Sequence, residues 1–168
     1  MNTIDGTACL SACGRYRWRL DRDLGRDGPV LAGIMVNPSK ATASVSDQTI
    51  NKWLGFASRL GAGRFIVGNK FAWRATDIRG LQGVADPVGA ENDQYLETIM
   101  READRVIVAW GTLSKLPLPM RSRWRDVAAI AQRVGKPLWC FGTAKDGHPL
   151  HPLMLAYDTP LSRWSPPQ

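Results

Sequence analysis

Long apolar runs are missing from this chain, and so is any cysteine arrangement that could build a metal cluster. No stretch of the 168 residues is long and apolar enough to span a bilayer. The first twenty residues carry Asp5, Arg15, Arg17 and Arg19 where a secretory leader would have a basic start and then an apolar core. The expectation is a soluble, cytoplasmic protein without a membrane partner. Cys9, Cys13 and Cys140 are odd in number, and Cys9-x-x-x-Cys13 has no second pair to complete a zinc or iron–sulfur site, so no metal and no cofactor is expected. Neither a Walker pattern nor G-x-G-x-x-G occurs, which removes the common phosphate loops. Ser39 and Ser114 lie outside a nucleophile-elbow context, and Cys140 falls inside an apolar strand pattern where a buried thiol is inert. Serine and cysteine hydrolases are thereby disfavoured. No repeat, low-complexity tract or linker divides the chain, so residues 1–168 read as a single domain.

Positive charge and tryptophan are what the chain has in excess. Lys and Arg total 22 against 15 Asp and Glu, a net of +7, which favours acidic partners such as nucleic acid through counterion release. Solubility alone is the competing reading of that charge. Several of the seven Trp stand beside basic residues, as in Arg15-Tyr16-Arg17-Trp18-Arg19 and Arg121-Ser122-Arg123-Trp124-Arg125. Exposed, such pairs hold phosphates and stack bases; packed inward, they are core residues whose neighbours point to solvent. On the first reading Arg121, Arg123, Arg125 and Lys145 are candidates for backbone phosphates of DNA, or of RNA or a free nucleotide.

Four short apolar runs, residues 30–36, 65–68, 106–109 and 138–141, each end in a polar or glycine-bearing signature. Helical spacing separates them: Ile50, Trp53, Leu54, Ala57 and Leu60 behind a cap at Asp47, then residues 91–103, then 121–134. Alternation over residues 16–20 before a Gly- and Asp-rich stretch suggests a hairpin into 30–36. The expected fold is a three-layer α/β/α sandwich around a mainly parallel four-stranded sheet, with one N-terminal antiparallel strand. Ligands of such sheets bind at the carboxyl ends of the strands, where these signatures lie. The long aperiodic stretch 72–89 reads as a functional loop.

Motif order adds a resemblance. Val36-Asn37-Pro38 resembles the Asn-Pro motif of the uracil-DNA glycosylase superfamily in its mismatch-specific branch, and Val67-Gly68-Asn69 its base-reading Asn. Residues 106–111 are similar to its penultimate strand, and His148-Pro149-Leu150-His151-Pro152-Leu153 stands where that superfamily has a His-Pro motif. The succession Asn37-Pro38-Ser39, Asn69-Lys70-Phe71, Trp110-Gly111 and His148-Pro149-Leu150 is closer still to a family of bacterial and phage proteins of unassigned function. The superfamily resemblance implies a uracil-DNA-glycosylase-like fold and cleavage of a base-to-sugar bond. Asn37 and either His148 or His151 become catalytic candidates, and Asn69, Phe71, Pro38 and Ser39 base-binding ones.

Such cleavage needs a donor at the developing base anion, an oriented water on the far face of the sugar, and a pocket for an extruded base. His148 or His151 supplies the donor in this reading, Asn37 holds the water, and Asn69 pairs with the base edge. Asn37 is equally a turn residue before Pro38, and the histidines could belong to a Pro-punctuated surface loop. Asp47, Arg74 and Asn92, with Asp77, are further polar candidates near the rim, with capping or solvation as the competing role for each. Two features depart from the superfamily. Its most active branch has a carboxylate where this chain has Asn37, and Leu150 and His151 separate Pro149 from Pro152. A non-catalytic reader of modified bases and an enzyme acting on a free modified nucleotide remain alternatives.

Overall fold

A computed structural model describes residues 5–168. Ten elements follow in order: β1 (Gly6–Leu10), β2 (Arg17–Asp23), β3 (Val30–Met35), α1 (Gln48–Arg59), β4 (Arg64–Asn69), α2 (Asn92–Glu102), β5 (Arg105–Val108), α3 (Trp124–Arg133), β6 (Leu138–Cys140) and β7 (Ser162–Arg163). Short 3-10 turns punctuate the connections. The strands form one mixed sheet in the order β1-β2-β4-β3-β5-β6-β7. β4, β3, β5 and β6 run parallel, and β1, β2 and β7 close the two edges antiparallel.

Side-chain alternation along the central strands feeds two cores. Leu31, Met35, Phe65, Val67 and Ile107 face one way and pack on Ile50, Trp53, Phe56 and Ala57 of α1. Ala32, Ile34, Ile66, Val106 and Val108 face the other way, against Leu96, Ile99 and Met100 of α2 and Val127, Ile130 and Ala131 of α3. Helices thus cover both faces of the sheet, which is why these strands read as nearly continuous apolar runs. Asp47 caps α1 as its spacing suggests, its Oδ1 accepting from the Ile50 N–H at 2.9 Å.

The hairpin is a correction. β2 pairs antiparallel with β4, Leu20 opposite Val67, and not with β3, which lies between β4 and β5. Both edges of β3 are taken by parallel partners, so the chain leaving β2 crosses the start of β4 before entering β3. The crossing is tight: a Cβ on Gly28 would lie 2.2 Å from the Gly61 carbonyl oxygen, so only glycine fits there. Arg26 fastens it by donating to Ala62 O at 2.9 Å and Ser58 O at 2.6 Å. The single antiparallel strand expected at the N-terminal side is in fact two, β1 and β2, and β7 adds a third at the opposite edge. Residues 6–10 are short and partly exposed and residues 162–163 are exposed, so they lack the apolar run that marks the central strands. Residues 121–134 also divide, a 3-10 turn at Leu118–Arg123 leading into α3.

Candidate functional site

A cavity of about 790 Å³ opens beyond the carboxyl ends of β3 and β5, on the α1 side of the sheet. Met35, Val36, Asn37 and Ser39 come from the end of β3, Trp110 and Gly111 from the end of β5, and residues 46–51 from the start of α1. Ala75, Thr76 and Ile78 of the long loop, Lys40, Lys115, Arg17 and His151 complete the wall. Parallel strands that end together beside one helix N-terminus make this the polar corner of the fold.

Asn37 lies in the wall, with its amide nitrogen donating to Ala75 O at 2.8 Å and Pro38 O at 3.1 Å. These two bonds orient the side chain and leave Oδ1 without a donor among the described residues. His151 also lies in the wall, because the Gly111 N–H donates to Pro149 O at 2.8 Å and draws the His-Pro segment against the end of β5. Gly111 adopts φ +77°, a conformation that suits glycine. His151 Nδ1 accepts from the Leu153 N–H at 3.2 Å, so the neutral ring carries its proton on Nε2. Burial lowers its pKa below the usual histidine value, Lys115 acts in the same direction, and Asp47 opposes them. His151 is therefore a neutral donor near pH 7.

Asn69 is not in the wall. It pairs in register with Met35, which is, and alternation places it on the α1 face with Phe65 and Val67. It is buried, and neither amide atom has a hydrogen-bond partner among the described residues, an expensive state for a dry interior.

The other histidine belongs to a different neighbourhood. His148 is buried among Trp110, Trp124 and Trp164, and its Nδ1 accepts from Trp110 Nε1 at 3.2 Å. Burial pulls its pKa down, with Lys70 and Arg125 adding to the fall and Asp146 resisting it. This ring is a core acceptor and does not reach the cavity.

Several sequence candidates have structural employment instead. Pro38 is buried and Phe71 packs with Leu81 and Leu116, both away from the wall. Arg74 donates to Gly14 O at 3.2 Å, and Asn92, first residue of α2, donates to Asn69 O at 2.9 Å and Lys70 O at 3.1 Å. Asp77 caps a 3-10 turn. Ser39 and Asp47 do line the cavity, Asp47 while also capping α1. Among the proposed phosphate-facing residues, partly buried Arg121 donates to Leu116 O and Ser114 O, and only Arg123 needs correction, being buried, donating to Lys70 O and pairing with Asp93 and Asp126. Arg125 and Lys145 are exposed, Arg125 stacking 5.1 Å from the Trp124 ring centroid. Trp18, Trp53, Trp110, Trp124 and Trp164 are all buried, so the inward reading of the Arg-Trp segments holds for them.

Arg17, within an Arg-Trp segment, and Lys70, inside the Asn69-Lys70-Phe71 motif, are not singled out as site residues by the sequence. Arg17 reaches the cavity because β2 bulges: Cys9 pairs with Arg19 and Leu10 with Arg17, skipping Trp18. Simple alternation would have put Arg17 outside. Burial lowers its pKa to about 10, against a raising influence from Asp47. Lys70 is fully buried with its Nζ unpartnered, 4.9 Å from the Trp110 ring centroid. Burial, reinforced by Arg123, brings its pKa to about 7.

Fold and cavity together define a mixed α/β protein with a polar, cation-rich cavity at the carboxyl ends of its parallel strands. The chain belongs to the family described as "Protein of unknown function (DUF1643)", whose model matches residues 17–153 and so takes in Arg17, Asn37, Asn69 and His151. No curated protein and no solved structure matches it.

Proposed function

We propose that the protein processes nucleic-acid bases as a monofunctional N-glycosidic hydrolase of uracil-DNA-glycosylase-like, three-layer fold, acting on a modified, damaged or mismatched base in DNA. The observation that carries this reading is that Asn37 and His151, from distant parts of the chain, line one cavity at the strand ends. Water adds to the sugar carbon as the carbon–nitrogen bond breaks, the base departs with the bonding pair, and the proton the water loses ends on the released base. Asn37, with its amide nitrogen tied to Ala75 O and Pro38 O, offers Oδ1 to orient that water. The Nε2–H of His151 stabilises the charge growing on the base, a task for which a neutral imidazole is suited. The two unpaired amide atoms of Asn69 complement a base edge, and its register partner Met35 lines the cavity.

The same cleavage on a free modified nucleotide is favoured by one set of contacts. Arg17, Arg123 and five of the tryptophans that would have built a DNA-binding surface are buried, which leaves Arg125 and Lys145 as the exposed basic candidates.

Mass spectrometry of products after incubation with DNA and free nucleotides bearing a panel of altered bases tests both readings. Released base is expected from at least one substrate, with single-turnover cleavage falling by about 100-fold or more in Asn37→Ala and in His151→Ala. No released base from any substrate overturns the enzyme reading. Discrimination among those substrates in affinity alone would then favour a reader.

A further inference from the structure

We propose that the end of the cavity beside α1 is a subsite for a terminal phosphate monoester, the 5′-phosphate of a free nucleotide. The inference rests on the second reading above, in which the cavity takes a free nucleotide, and names the group by which that nucleotide is held. Arg17 is the first support. It is buried and lines the cavity, yet among the described residues only Nη1 has an acceptor, Ala41 O at 2.8 Å. Its Nε is buried without a partner, and no described residue accepts from Nη2. Nε and Nη2 form one edge of the guanidinium, the edge that grips two oxygens of a phosphate.

The start of α1 is the second support. Asp47 satisfies the Ile50 N–H through its side chain and the Asn51 N–H through its carbonyl, so the Gln48 and Thr49 N–H groups have no helical acceptor. Both residues line the same cavity. Charge agrees with geometry. Arg17, Lys40 and Lys115 face one carboxylate, Asp47, across a site whose histidine is neutral near pH 7. The net of two positive charges matches a phosphate dianion.

A monoester suits the site better than a diester of a polymer backbone. Arg17 is only 2 % exposed, so the group it grips must enter the wall. A diester would carry chain in both directions from that point, whereas a terminal phosphate has three free oxygens for the guanidinium edge and the helix N–H groups.

The test is equilibrium binding at low salt by calorimetry, with inorganic phosphate, a panel of 2′-deoxynucleoside 5′-monophosphates, the matching nucleosides, and an oligonucleotide with a 5′-hydroxyl. We expect phosphate to bind and the monophosphates to bind at least about tenfold tighter than the nucleosides. Arg17→Gln should remove that advantage. Gln48→Pro removes one N–H at a helix position where proline is well tolerated, and should reduce the advantage about threefold. Should Arg17→Gln fail to fold, Gln48→Pro and the exposed-site variant Lys115→Gln decide the matter by the same readout. Monophosphates binding no tighter than nucleosides, or an advantage untouched by the variants, overturns the subsite. An oligonucleotide that binds as tightly, with the same Arg17 dependence, overturns the monoester in favour of a backbone diester. Because binding is read without turnover, an absent base release leaves a measured phosphate advantage standing, and a lost advantage leaves base release standing.

Discussion

Replacing Lys70 with methionine should remove a pH dependence that the wild-type protein carries in its core. Lys70 is 0 % exposed, its Nζ has no hydrogen-bond partner, and no described carboxylate pairs with it. The charged neighbours are unhelpful: Arg123 pushes the ammonium toward neutrality, and His148 is itself disfavoured as a cation by Lys70. Desolvation is the larger cause, and the amine titrates at about 7 against an ordinary 10.5. The folded state therefore binds fewer protons than the unfolded chain between those values, so stability must rise as pH rises from 7 toward 10.5. Between pH 7 and about pH 9.5 the linkage amounts to about 3 kcal/mol. The Trp110 ring, 4.9 Å away, favours the ammonium by about 1–2 kcal/mol and reduces the expected gain to about 2 kcal/mol. Methionine keeps the unbranched stem against that ring and carries no charge. Thermal melts of both proteins at the two pH values should show wild type gaining about 4–8 °C on Lys70→Met as the pH rises. Curves that stay parallel would refute the claim that an uncompensated ammonium is buried there.

Acid should act in the complementary way on the two histidines, whose pKa values both lie below the ordinary 6.5, so stability is retained above that value and falls as pH drops through it. Chemical denaturation from pH 7 to about pH 5 should show a slope that His148→Gln with His151→Gln flattens, and an unchanged slope would contradict the burial assigned to the rings. The two buried asparagines should respond differently to truncation. Asn69→Ala removes an amide without a partner among the described residues and should change stability by less than about 1 kcal/mol, whereas Asn92→Ala leaves Asn69 O without its donor, Lys70 O keeping Arg123, and should cost about 1–3 kcal/mol. Equal losses in denaturant titrations would show that the Asn69 amide is satisfied.

Local physics wrote much of this architecture into the chain. Apolar runs at residues 30–36, 65–68, 106–109 and 138–141 mark strands buried on both faces, and Asp47 before a 3.6-residue periodicity marks the start of α1. Strand-end placement and motif order brought Asn37, Asn69 and one of His148 and His151 together in the sequence, but which histidine lines the cavity, and that Asn69 stays outside its wall, only the structure decided. Tertiary structure decided what lay outside any local window. β2 beside β4 depends on which strand edges remain free and on a crossing that only Gly28 permits. Arg17 turns inward because a bulge interrupts the alternation by which a strand's faces are read. Arg123 looks like a phosphate ligand in the sequence, but the Lys70 carbonyl and the Asp93 carboxylate, both from distant segments, occupy it. A charged side chain's chemistry is set by the partner that reaches it, and that partner is named by the fold.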